Sequence, residues 1–186
     1  MRITGGSARG LLLTAPKHAA LRPTSDKVRN AIFQLVGALV EEARVLDLYA
    51  GTGALGIEAL SRGAAFAEFV EQDARLCQAI RGNLERVGFA ELGRVHRAKV
   101  ETAVAVLEGP FRLALMDPPY ALAGVPAVVA RLTRPGLLER DALVVWEHSS
   151  RDKIEEYYGA LSMKTQRKYG DTSVSLFVMQ ATEGEG

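Results

Sequence analysis

The sequence is poor in the features that mark several large protein classes. It has one cysteine, Cys77, so an intrachain disulfide is excluded. Its three histidines, His18, His96 and His148, make no metal-ligand spacing with that cysteine, and no metal site is expected. No apolar run is long enough to span a bilayer. The opening segment Met1-Arg-Ile-Thr-Gly-Gly-Ser7 lacks the hydrophobic stretch of an export signal, so a cytoplasmic protein is expected. There is no internal repeat and no low-complexity tract. Net charge is only +1, which marks the chain as neither acidic nor basic overall.

What remains is the profile of one globular domain: 186 residues, 48% hydrophobic and 24% charged, enough for a single sizeable core. The charge is unevenly placed. Within residues 1–40, Arg2, Arg9, Lys17, Arg22, Lys27 and Arg29 face Asp26 alone, a net +5 that leaves −4 for the rest. Such an arm is either a solvated surface or a contact for a polyanion.

Periodicity supplies the organisation. Arg2–Thr4 and Leu11–Thr14 are short extended stretches around a Gly5-to-Gly10 turn, which suits a small hairpin. Val28, Ile32, Leu35, Val36, Leu39 and Val40 recur at helical spacing behind a Thr24 or Ser25 N-cap. From Ala43 strands and helices alternate. Strands are expected at Arg44–Tyr49, Phe66–Glu71, Arg94–Ala98, Arg112–Asp117 and Ala142–Glu147. Helices are expected near Leu55–Arg62, Ala74–Val87, Glu101–Leu107 and Pro126–Leu132. Near-continuous apolar strands such as Leu113-Ala-Leu-Met116 belong to a parallel sheet covered on both faces. Met163–Tyr169 and Ser173–Gln180, joined by Gly170-Asp-Thr, suit a hairpin, so the last strand should be antiparallel. The expected organisation is a basic N-terminal hairpin extension over residues 1–23, a main domain over 24–181 and a polar tail over 182–186.

Two segments carry chemistry. Gly51-Thr-Gly-Ala-Leu-Gly56 matches Gly-x-Gly-x-x-Gly, follows a strand and opens a helix, the context of a nucleotide-cofactor loop. Asp47, near the end of that strand, would repel a pyrophosphate but could help hold an ammonium, which favours S-adenosylmethionine (SAM) over a dinucleotide. Glu71 ends the second strand, where a carboxylate can accept both ribose hydroxyls; this fits either ligand. Asp117-Pro-Pro-Tyr120 follows the fourth strand, at the carboxyl edge of the sheet. An aromatic exocyclic amine is a poor nucleophile because its lone pair is delocalised. A carboxylate and a backbone carbonyl can accept its two N–H bonds and aim that lone pair. Pro118 and Pro119 fix the φ angles that place those acceptors, and Tyr120 offers a face on which a base can stack. Together the segments point to methyl transfer from SAM to a base amine. Cys77 falls on a core helix face, His96 lies within a strand, and His148 is a loop histidine or a substrate contact.

The chain resembles the Rossmann-like class I methyltransferases and, more narrowly, the bacterial 16S ribosomal RNA guanine-N2 methyltransferases of the RsmD type. The resemblance is carried by Arg2-Ile-Thr-Gly-Gly with Arg9-Gly10, by Leu21-Arg-Pro-Thr-Ser-Asp-Lys-Val-Arg-Asn-Ala-Ile-Phe33, by Asp47-Leu-Tyr-Ala-Gly-Thr-Gly-Ala-Leu-Gly-Ile-Glu-Ala-Leu60, by Asp117-Pro-Pro-Tyr120 and by Tyr169-Gly-Asp-Thr172. It implies a seven-stranded mixed sheet with an antiparallel last strand and a short N-terminal hairpin and helix. It further implies a SAM site made by Asp47, Tyr49, Gly51, Gly53, Glu71, Gln72, Lys99, Val100 and Asp117. Lys99 departs from the family's usual Asp or Asn, which leaves a backbone contact through Val100 for the adenine. Asp117, Pro118, Pro119 and Tyr120 would hold the guanine. Arg2, Arg9, Arg22, Thr24, Lys27 and Arg29 would hold the RNA. The implied partner is small-subunit rRNA in an assembled or assembling 30S particle, met by a monomer. Alternatives are a DNA adenine or cytosine amino-methyltransferase, for which the chain has little room for a target-recognition domain, and a nonenzymatic RNA-binding assembly factor on the same fold.

Overall fold

A computed structural model describes residues 1–16, 25–120 and 122–180. The expected alternation is present as β1 (Arg44–Leu48), β2 (Phe66–Glu71), β3 (Gly93–Arg97), β4 (Phe111–Met116) and β5 (Leu138–Ser149). The helices are α1 (Asp26–Val36), α2 (Ala54–Ser61), α3 (Ala74–Arg86), α4 (Val100–Val106) and α5 (Val125–Arg131). They are followed by β6 (Tyr157–Tyr158), β7 (Leu161–Tyr169) and β8 (Thr172–Met179). The strands form one sheet in the order β3-β2-β1-β4-β5-β8-β7-β6. β1 to β5 run parallel, and β8 lies antiparallel to β5 through seven register pairs from Leu143↔Val178 to Ser149↔Thr172.

The sheet has eight strands rather than the expected seven. The addition is β6, two residues paired antiparallel with β7 through Tyr157↔Ser162 and Tyr158↔Leu161. So short a strand leaves no alternation to read in sequence. It is fixed by the burial of Tyr158, whose ring lies 6.0 Å from Trp146 and 5.6 Å from Phe177 in edge-on geometry. β5 also begins earlier than expected, at Leu138. Its register against β4 slips between Phe111 and Leu113, near Asp141 at φ 61, and the irregular residues hide the strand's period.

The sheet separates two apolar clusters. On one side α1, α2 and α3 pack Ile32, Phe33, Ile57 and Ile80 onto Val45, Leu113 and Val145. On the other α4 and α5 pack Val104 and Val128 onto Leu46, Leu48 and Val144. Strand alternation decides which residue goes where. In β1, Leu46 and Leu48 face α4 and α5, whereas Val45 faces α2.

The N-terminal segment forms the expected hairpin, with Arg2 bridged to Leu12 and mutual bonds between Ile3 and the Gly10–Leu11 region. Ile3, Ala8 and Leu13 are buried in the same cluster as α1 and α2. The turn sits directly on the end of α2. Ser7 N–H donates to the Ser61 carbonyl at 2.7 Å, and Ala8 N–H donates to Ser61 Oγ at 2.9 Å. A Cβ on Gly6, at φ +77, would come 1.7 Å from the Ser61 carbonyl oxygen, so only glycine permits this approach.

Candidate active site

Every expected chemical segment lies at the carboxyl edge of the sheet. The chain leaves β1 on one side toward β2 and reaches β4 on the other, so the edge opens into a crevice at this switch point. The crevice holds a cavity of about 730 Å³, within the size range of small-molecule sites. Tyr49 and Gly51 come to its wall from the end of β1, Glu71 and Gln72 from β2, Lys99 and Val100 from the start of α4, and Asp117 to Tyr120 from the end of β4. Four separate turns thus converge on one volume.

The glycine loop is shaped by close approach. Gly51 and Gly53 have φ of 57 and 79, and Gly53 caps α2 in the left-handed region. A Cβ on Gly56 would meet the Phe69 ring at 2.3 Å and Asp47 Oδ2 at 3.0 Å, so this glycine lets α2 press against β2. Glu71 braces the loop: its Oε2 accepts from Gly51 N–H at 2.9 Å and its Oε1 from Asp73 N–H at 2.9 Å. A carboxylate has about four lone-pair positions, so Glu71 keeps capacity for hydroxyls from the cavity side.

Asp47 is placed differently from the expectation. It is 1% exposed and does not line the cavity. It shares the parity of Val45, so it points toward α2, where Oδ2 accepts from Gly56 N–H at 2.8 Å. Burial pushes its carboxyl well above the usual range; the Gly56 bond opposes this, while the carboxylates of Asp117 and Glu71 add to it. Asp47 therefore organises the loop from behind. Gly53 is likewise behind the wall.

Tyr49 occupies a left-handed backbone position at φ 59, uncommon for a bulky residue. Its hydroxyl finds no partner among the described residues, and burial, with Glu101 nearby, pushes its pKa up to about 12. Lys99 precedes α4 with no side-chain cap, its side chain exposed, while Val100 is buried against the cavity. In the Asp-Pro-Pro-Tyr segment, Asp117 is half-buried, Pro118 is buried and Pro119 is exposed. The Tyr120 hydroxyl hydrogen-bonds to Thr172 Oγ1 at the β7–β8 turn. The Gly170-Asp-Thr172 stretch, distant in sequence, thus fixes the ring of Tyr120.

Of the residues expected at RNA, Arg2, Arg9 and Lys27 are exposed, and Arg22 and Thr24 lie outside the described residues. Arg29 is a correction. Its side chain is 1% exposed and is held by Asp26 at 2.5 Å, by Glu58 at 3.3 Å and by the Arg2 carbonyl at 2.7 Å. It sits on the inward face of α1, where it neutralises the wholly buried Glu58 instead of facing solvent. His96 pairs with Glu68 at 2.6 Å, Cys77 is buried on α3, and His148 is buried with Nε2 2.9 Å from Ser175 Oγ. Met1, Leu122 and Glu147 are among the wall residues that no sequence signal marks. Their residue types are unremarkable, and only the fold brings them to the cavity.

Comparison with known proteins agrees with this geometry. The family described as Conserved hypothetical protein 95 matches residues 1–178. YlbH of Bacillus subtilis is 36% identical over 180 residues, covering 95% of this chain and 98% of its own length. Ribosomal RNA small subunit methyltransferase D of Escherichia coli strain K12 is 31% identical over 185 residues, covering all of this chain and 92% of its own. The structure of the Escherichia coli yhhF protein superimposes with a TM-score of 0.88 at 31% identity, covering 98% of this chain and 99% of that one. The chain belongs to the Conserved hypothetical protein 95 family, the RsmD-type group of Rossmann-like methyltransferases.

Proposed function

We propose that this protein transfers a methyl group from SAM to the N2 amine of a specific guanine in small-subunit ribosomal RNA. The observation that carries the reading is the convergence of the Gly51 loop, Glu71 and Asp117-Pro-Pro-Tyr120 on one cavity at the switch point of the sheet. The cavity suits a nucleoside cofactor. It offers an acidic residue with spare acceptor capacity and apolar floor residues such as Leu55, Val70 and Val100. The RNA substrate is supported by the relative from Escherichia coli, whose name states small-subunit rRNA methylation.

SAM supplies an electrophilic methyl on a sulfonium, and the protein's residues do the rest. Glu71 would accept from the ribose hydroxyls, and the glycine loop would let the backbone approach the methionine part. Asp117 and the Pro118 carbonyl accept the two amine N–H bonds, which favours the geometry in which the nitrogen lone pair is available. Tyr120, anchored through Thr172, stacks on the base. SAM would give up its methyl to the nitrogen and leave as the neutral thioether, and Asp117 would accept the proton that the amine gives up. The main contribution is orientation and desolvation of the reacting groups. Arg2, Arg9 and Lys27 would meet the phosphates, together with Arg22 and Thr24. The reaction takes place in the cytoplasm on a 30S particle, with the enzyme as a monomer.

The test is incubation of the protein and labelled SAM with small subunits from cells that lack it, followed by base mapping. Label should appear at one position as N2-methylguanine. Label in adenine or cytosine, or none at all, would overturn the reading.

A further inference from the structure

Behind Tyr120 lies a second cavity of about 240 Å³. It shares Pro118, Pro119, Tyr120 and Leu122 with the larger one, so the Asp-Pro-Pro-Tyr segment is the partition between the two. Trp146 and His148 of β5 and the loop residues Asp152 and Lys153 form much of its far side. Trp146 is 4% exposed, yet its indole N–H finds no acceptor among the described residues. That N–H is closed off from the cavity, so Trp146 serves here as wall. His148 is already engaged, with Nδ1 2.8 Å from the Ser149 carbonyl and Nε2 2.9 Å from Ser175 Oγ. Asp152 differs: it is exposed, Oδ2 accepts from Ser149 N–H at 3.1 Å, its charge acts on His148, and Oδ1 accepts no hydrogen bond among the described residues.

The three base amines present different neighbours. The N2 amine of guanine is flanked by a ring N–H at N1, with the O6 acceptor beyond it. The N6 amine of adenine and the N4 amine of cytosine are flanked by bare ring nitrogens, which are acceptors. An acceptor beside the amine-holding segment therefore selects guanine, and it leaves adenine and cytosine facing a repulsive pair of acceptors.

We propose that the cavity behind Tyr120 takes the body of the target base, that Asp152 accepts from guanine N1–H, and that Lys153 donates to O6. Asp152 is then the specificity-determining residue. This rests on the guanine-N2 reading above and adds the groups that distinguish guanine from the other amino bases.

The test uses small subunits reconstituted with rRNA carrying either guanine or 2,6-diaminopurine at the mapped position. Diaminopurine keeps the C2 amine but replaces N1–H by an acceptor and O6 by an amine. The wild-type protein should prefer guanine by roughly 30-fold or more in kcat/KM. Asp152→Asn keeps an acceptor for Ser149 N–H and gains donors. It should lose about 10- to 100-fold on guanine and narrow the preference to within a few-fold, with SAM affinity unchanged. Equal wild-type use of the two bases, or an Asp152→Asn variant that keeps the full preference, would overturn the inference and leave guanine methylation standing. No methylation of the guanine subunits by the wild-type protein would overturn both.

Discussion

Asp47 is a carboxyl group shut away from water and held by the Gly56 N–H. Its folded pKa is raised above the ordinary 3.8 by burial, so the folded state binds its proton more tightly than the unfolded chain does. The contribution is therefore most favourable at low pH and diminishes as pH rises through the window above about 4. Asp47→Asn keeps an oxygen for Gly56 N–H and removes the titration. The variant should gain in urea midpoint relative to wild type as pH goes from about 4 to 7; a constant difference across that range would show that Asp47 is ionised in the fold. Asp117→Ala should remove most methyl transfer while SAM binding, read by calorimetry, persists. Tyr120→Phe keeps the stacking face and loses the hydroxyl that bonds Thr172, so a loss of roughly two- to tenfold in turnover is expected, against a severe loss for Tyr120→Ala. If Tyr120→Ala turns over as fast as Tyr120→Phe, the ring does not hold the base.

At the scale of elements, the hairpin, α1 and α2 are fastened by one buried charge. Glu58 accepts from the Thr4 backbone N–H at 2.9 Å and its hydroxyl at 2.7 Å, and from Arg62 at 2.9 Å, with Arg29 on its other side. Removing Arg29 leaves a buried carboxylate with less compensation. Arg29→Ala should lower unfolding stability by about 3 kcal/mol, while the salt dependence of RNA binding stays at the wild-type slope. A changed slope with unchanged stability would return Arg29 to the RNA surface. Both the helix and the arginine were legible in the sequence. The arginine's direction was not, because α1 buries Arg29 beside Val28, Ile32 and Phe33, and only its partner on α2 makes that tolerable.

Across the whole molecule, the basic N-terminal end adjoins the cavity. Met1 lines its wall, and Asn83 ties Thr14 to the glycine loop by donating to the carbonyls of Thr14 at 3.0 Å and Thr52 at 3.1 Å. Arg2 and Arg9 are exposed on this hairpin. If they meet phosphates, replacing both with Ala should flatten the log–log salt dependence of RNA binding by roughly 1.4–1.8, with SAM affinity intact and subunit methylation slowed. A full slope with normal methylation would leave them as solvated surface.

The sequence alone determined the alternation of strands and helices, the antiparallel end of the sheet, the glycine loop and the Asp-Pro-Pro-Tyr turn. Each is set by interactions within a few residues: a side-chain period, a cap, a glycine or proline at a fixed backbone angle. Tertiary structure decided what depends on partners far along the chain. It turned Asp47 away from the cavity and toward Gly56, and it buried Arg29 against Glu58. It made two tyrosines into an edge strand, and it set Tyr120 against Thr172, 52 positions away. It also gathered Trp146, Asp152 and Lys153 into a cavity behind the reactive segment. The physical reason is that burial and hydrogen-bond partnership are properties of packing between elements, and no local pattern of residues encodes which two surfaces will meet.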